Sequence, residues 1–166
     1  MKKIALVALL SAVVATPALA DNTGKFYGAV DLGSATIGTG AGNTGGTFRV
    51  SGGYHFSPML GAEAGYTNVS ATGSTVSSMS AAAVATYPVA AQFDLLGKLG
   101  LAMNTIAATG GASTSKADLY FAVGAQYNLS TQLSVRAQYE NLGKFDFGQN
   151  FTASGSVISA GAAYTF

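Results

Sequence analysis

The chain has 166 residues, a formal charge of +1 and charged side chains at only 9% of its positions, against about 25% in a typical soluble domain. That balance offers no basic surface for nucleic acid, and the absence of cysteine removes disulfide frameworks and thiolate metal sites. Beyond the N-terminal residues, no run has the length and apolarity of a membrane-crossing helix.

Residues 1–20, MKKIALVALLSAVVATPALA, have the three parts of a cleavable signal peptide. Lys2 and Lys3 form a basic head, Ile4 to Val14 an apolar run, and Ala18-Leu19-Ala20 a small-x-small cleavage site. The run is well short of the ~20 residues of a spanning helix. The expected mature chain is 21–166, one domain by length. Without Lys2 and Lys3 it carries six basic and seven acidic residues, a balance of −1.

Eight strands follow, each about ten residues long, the length a tilted strand needs to cross a bilayer. The first, Lys25 to Ala35, sets Phe26, Val30 and Leu32 against Tyr27, Asp31 and Gly33. The second, Gly46 to Phe56, sets Phe48, Val50, Tyr54 and Phe56 against Arg49, Ser51 and His55. After Ser57-Pro58-Met59, where Pro suits a turn, the third runs from Leu60 to Ser70 with Leu60, Ala62, Ala64 and Tyr66 opposed to Gly61, Glu63 and Gly65. The fourth, Ser77 to Pro88, alternates weakly through SAAAVA, and a short helix is its rival. Pro88 to Ala91 is read as the next turn. The fifth, Gln92 to Asn104, places Phe93, Leu95, Leu99, Leu101 and Met103 on one face and Asp94, Lys98 and Asn104 on the other.

The clearest alternation lies in Asp118 to Leu142, a hairpin broken at Asn128 to Thr131. Leu119, Phe121, Val123, Ala125 and Tyr127 share one face of its first strand, and Leu133, Val135, Ala137 and Tyr139 one face of its second; Arg136 and Glu140 stand on the other side. The eighth strand, Gly155 to Phe166, has Ile158, Ala160, Ala162, Tyr164 and Phe166 opposed to Val157, Ser159, Gly161 and Thr165.

The connections alternate in kind. Those after strands two, four and six are short. Those after one, three, five and seven (Thr36 to Gly45, Ala71 to Val76, Thr105 to Ser115, Gly143 to Ser154) are longer and rich in Gly, Ser, Thr and Asn. Transmembrane barrels have short periplasmic turns and long extracellular loops. A spanning protein without spanning helices must be a closed sheet, because open strand edges go unsatisfied in hydrocarbon. The expected fold is therefore all-β: an eight-stranded antiparallel up-and-down transmembrane β-barrel with both chain ends periplasmic. Aromatic residues also fall in two zones, as interfacial girdles require. Phe26, Tyr54, Phe56, Tyr87, Phe93, Tyr127, Tyr164 and Phe166 lie toward one end, and Phe48, Tyr66, Phe121 and Tyr139 toward the other. A soluble sandwich does not require two bands.

The terminal Ala163-Tyr164-Thr165-Phe166 resembles the signal read by the machinery that folds bacterial outer-membrane barrels, with Tyr164 and Phe166 as its aromatic positions. GAVDLGSA, GGYHFSPMLGAEAGYTN, TYPVAAQFDL, FAVGAQYNLSTQLSVRAQYE and SAGAAYTF resemble the transmembrane domain of outer membrane protein A and its small eight-stranded relatives. The resemblance covers nearly the whole mature chain and lapses in the four long loops. It implies a bacterial outer-membrane location, and partners in outer-membrane lipid (lipopolysaccharide included), the barrel-assembly machinery and periplasmic chaperones. It also implies a Glu on the third strand paired inside the barrel with an Arg on the seventh, beside a basic residue on the fifth. The matching positions are Glu63, Arg136 and Lys98. Two further charged positions of the family correspond to Val84 and Gln126 here, which implies a smaller network.

By parity the inward charges are Asp31, Arg49, Glu63, Asp94, Lys98, Asp118, Arg136 and Glu140, with His55. A charge facing lipid near the midplane would cost about 2–4 kcal/mol, so stability alone sends them inward. Eight strands enclose a lumen that side chains can fill. The inward Gly33, Gly53, Gly61, Gly65, Gly100 and Gly124 are expected to leave room for water. His55 and Ser57 form H-x-S, and histidine can act as base to a serine. The pair sits at a turn with no carboxylate placed to orient it, so no catalytic residue, metal site or cofactor is assigned. Phe145, Phe147 and Phe151 are the aromatic cluster of the last loop and the candidate contact patch for a host or surface ligand. The expected role is structural, in envelope integrity, with binding through the loops. The alternative is a narrow gated porin-like channel with Glu63, Lys98 and Arg136 in its lumen.

Overall fold

A computed structural model of the chain describes residues 22–38, 43–71, 74–107, 113–146 and 152–166. Residues 1–21, Phe147 and Phe151 lie outside these residues, as does the side chain of Phe145. Eight strands, β1 (Phe26–Gly38), β2 (Asn43–His55), β3 (Leu60–Ala71), β4 (Ser74–Ala90), β5 (Phe93–Ala107), β6 (Ser113–Asn128), β7 (Leu133–Asp146) and β8 (Thr152–Thr165), follow one another around a closed antiparallel barrel. β1 closes on β8 with Tyr27 opposite Thr165 and Asp31 opposite Gly161.

The two faces are inverted relative to a soluble protein. Leu32, Met79, Leu99, Leu101, Leu119 and Ile158 are more than half exposed on the outer wall, while Asp31, Arg49, Glu63, Lys98, Arg136 and Glu140 are buried within it. An apolar surface on every strand far exceeds the patches that soluble monomers expose. It is matched to hydrocarbon, where each strand's backbone groups are satisfied by its neighbours.

Every strand runs past its expected end on the loop side, so four long loops become shorter loops on taller hairpins. Ser, Thr and Ala pair across these extensions, as in Ala71 with Ser74 and Ala107 with Ser113. The fourth segment is strand throughout, with no helix. Pro88 belongs to β4 and sits at a register shift between Pro88 and Ala90, the irregularity a strand proline requires. The turn that follows is only Ala91-Gln92.

The turns after β2 and β6 are built alike. Ser57 Oγ accepts from the amides of Met59 and Leu60, and Ser130 Oγ accepts from those of Gln132 and Leu133. In each, two successive amides also donate to the carbonyl of the leucine that opens the next strand. Inside the barrel, toward the loops, Ala35, Val69, Val76, Ala102, Tyr120, Ala122, Leu142 and Val157 pack as one apolar cluster.

Candidate functional site: a charge layer across the barrel

Inward parity on β3, β5 and β7 brings Glu63, Lys98 and Arg136 together. Glu63 Oε1 accepts from Lys98 Nζ at 2.7 Å, and Oε2 from Arg136 Nη1 at 3.0 Å. The layer is larger than these three. Arg49 Nη2 also donates to Glu63 Oε1 at 3.0 Å, and Tyr27 OH to Oε2 at 3.0 Å. Arg136 grips Asp31 in a fork, Nε to Oδ1 at 2.8 Å and Nη2 to Oδ2 at 2.6 Å, and reaches Ser51 Oγ. Arg49 turns its Nη1 to Glu140 Oε2 at 3.2 Å and to Thr67 Oγ1 at 3.0 Å, and its Nη2 to Ser80 Oγ. Tyr120 OH donates to Glu140, and the Tyr120 ring lies 5.6 Å beneath the guanidinium carbon of Arg49.

Three cations and three carboxylates thus form one connected layer without net charge. Every strand except β8 supplies a member. Burying ions is unfavourable unless they are paired and hydrogen-bonded, and here each carboxylate meets at least one cation within 3.2 Å. The bidentate Arg136–Asp31 pair has the geometry that guanidinium and carboxylate favour. The network expected to shrink at Val84 and Gln126 is instead rebuilt from Arg49, Asp31 and Glu140.

The glycines leave no water space at this level. A Cβ on Gly53 would strike the Tyr27 ring, and one on Gly65 would lie 2.7 Å from the Arg49 guanidinium carbon. These two are the seats for the side chains that reach Glu63. At Gly33, Gly61, Gly100 and Gly124 the neighbouring strand's backbone occupies the space. The expectation of water pockets at these six glycines is corrected accordingly: each accommodates a ring, a guanidinium or a main chain.

A cavity of about 430 Å³ lies on the turn side of the layer, lined by Glu63, Lys98 and Arg136 at its inner end and by Ala91, Gln92 and Leu129 to Gln132 at its mouth. Asp94 faces it and accepts from Asn128 Nδ2 at 2.6 Å, while Gln126 donates to Asn128. This group is separate from the charge layer. His55 also lines the cavity, its ring 4.9 Å from that of Tyr27. Ser57 Oγ is held by the amides of Met59 and Leu60 and makes no hydrogen bond with His55, so the H-x-S pair is not joined. Among the described residues no cluster of His, Asp and Glu has the arrangement of a metal site. On the outer wall Tyr164 packs edge-on against Phe166, centroids 5.3 Å apart, beside the Phe26–Tyr54–Phe56 group.

The sequence profile of the family described as outer membrane protein beta-barrel domain matches residues 5–166. No curated protein sequence matches the chain. Among solved structures, Neisserial surface protein A is similar with a TM-score of 0.69 and 20% identity, over 85% of this chain and 97% of that one. Ail, the attachment invasion locus protein of Yersinia pestis, follows at 0.61 and 16%, over 87% and 99%. The N-terminal β-barrel domain of Pseudomonas aeruginosa OprF gives 0.61 and 11%, over 83% and 97%. At these identities the likeness is one of fold.

Proposed function

Because the chain belongs to the outer membrane protein β-barrel family, we propose that it serves the bacterial envelope as a filled, non-catalytic barrel. The short turns then face the periplasm with both chain ends, and the loops face outward. The observation that carries this reading is the charge layer around Glu63, whose six ions are all buried and mutually paired. Such a layer braces opposite walls: it joins Glu63 on β3 to Arg136 on β7, four strands away around the barrel. On this reading outer-membrane lipid, lipopolysaccharide included, coats the wall. Tyr164 and Phe166 present the signal to the assembly machinery and its chaperones.

The test is a strain lacking the protein. The expected result is faster entry of a hydrophobic dye and greater sensitivity to detergent, both reversed by the intact chain. An envelope indistinguishable from wild type would remove the structural role.

Surface binding through the last loop is the second part of the proposal. Ail has been crystallised with the heparin analogue sucrose octasulfate, a ligand of that protein. In this chain Phe145, Phe147 and Phe151 are the contact residues we assign. Trimming Gly143 to Ser154 is expected to abolish attachment of cells to a host surface while the barrel still folds; unchanged attachment would discard the patch. The rival reading, a gated channel through Glu63, Lys98 and Arg136, draws support from the cavity beneath the layer, which would be half of a path.

A further inference from the structure

The apolar cluster inside the barrel stands above the charge layer, and chain positions fix the order. On β7, Leu142 lies on the loop side of Glu140; on β3, Val69 lies beyond Glu63 and Thr67; on β5, Ala102 lies beyond Lys98. On β4, which runs the other way, Val76 lies on the loop side of Ser80. With Tyr120 and Val157 these side chains form a collar around the lumen, each at most 3% exposed. Asn104 Nδ2 donates to the Leu142 carbonyl at 2.8 Å, tying β5 to β7 past the intervening β6 at this level. The interior therefore has three storeys: a vestibule open at the turns, the charge layer, and the collar.

We propose that the barrel is shut by two seals in series, and that the apolar collar, not the charge layer, is the barrier to ions. This rests on reading the chain as a filled membrane barrel. The physical ground is that a lumen lined by charges can hydrate once a pair is opened, whereas a narrow apolar constriction excludes water and blocks ions by dewetting. Opening the charge layer then deepens the vestibule and makes no through path.

The experiment compares bilayer conductance in two backgrounds. Asp31→Ala with Arg136→Ala removes one ion pair together, so that neither partner is left buried alone. Lys98→Ala, which loses a single hydrogen bond to Glu63, opens the layer by another route if the first variant does not fold. Both are expected to stay silent. Adding Val69→Ala and Leu142→Ala is expected to produce discrete openings. The native chain has no cysteine, so single cysteines report access to a charged thiol reagent supplied at the turn side. Ser134→Cys, in the vestibule wall, should react in the native background. Ser51→Cys should react only once the layer is opened, and Ala102→Cys in neither. Openings in a charge-layer variant alone, reaction at Ala102→Cys, or silence after the collar is thinned would each overturn the proposal. Openings in the unaltered protein would instead overturn the filled-barrel reading on which it stands.

Discussion

Glu63 accepts four hydrogen bonds, three of them from cations, so its charge holds the centre of the barrel together. Replacing it leaves Arg49, Lys98 and Arg136 each short of a counterion, and removing one partner of a buried ion pair costs about 3–5 kcal/mol. Glu63→Gln, which keeps the volume, is expected to lose stability on that scale in urea unfolding from lipid vesicles. A neutral Gln variant would mean that Glu63 acts only by filling space. Gly53 is tested differently. Gly53→Ala forces the Tyr27 ring away and is expected to cost about 1–3 kcal/mol, the range for overpacking. Tyr27→Phe should then add little on top of it, since the Tyr27–Glu63 bond is already broken, and a double-mutant cycle measures that coupling. The inward direction of Asp31, Arg49, Glu63 and Arg136 was legible in the sequence, because strand parity and the cost of a charge in lipid give the same answer. Their pairing was not. Asp31 meets Arg136 through barrel closure, a relation that no local spacing encodes.

At the scale of elements, the serines of the two matched turns each satisfy two amides that would otherwise face water or nothing. Ser57→Ala and Ser130→Ala are each expected to cost about 0.5–1.5 kcal/mol. The two should add, because distant sites without shared partners are independent; a strongly non-additive double variant would mean that the turns are coupled. The turns themselves could be read from Ser57-Pro58-Met59 and from the break at Asn128. The tops of the strands could not. Ser, Thr and Gly are as suited to a loop as to a hairpin wall beyond the bilayer, so composition alone stopped the strands too early. In β4 the weak alternation of SAAAVA has a plain cause: alanine faces both lipid and lumen there, as Ala81 and Ala83 point out while Ala82 packs on the collar. Leu142, Val69 and Val76 were hidden for a related reason. They are apolar residues on the polar face, and a two-colour reading of a barrel strand has no place for an apolar storey inside.

For the whole molecule, the lipid-facing wall and the filled lumen together define a protein held by closure. Its last strand completes the sheet, with Tyr164 opposite Gly28, and its terminal ring lies on the outer wall. Removing Phe166 is expected to lower the amount assembled in cells several-fold while leaving refolding into micelles intact. Equal loss in both would assign Phe166 to stability instead of assembly. A barrel filled in this way has a blocked lumen. Single-channel recording of refolded residues 21–166 in a planar bilayer is the test, with folding verified by heat-dependent gel mobility. The expected result is a silent bilayer. Reproducible discrete openings from the unaltered chain would contradict it.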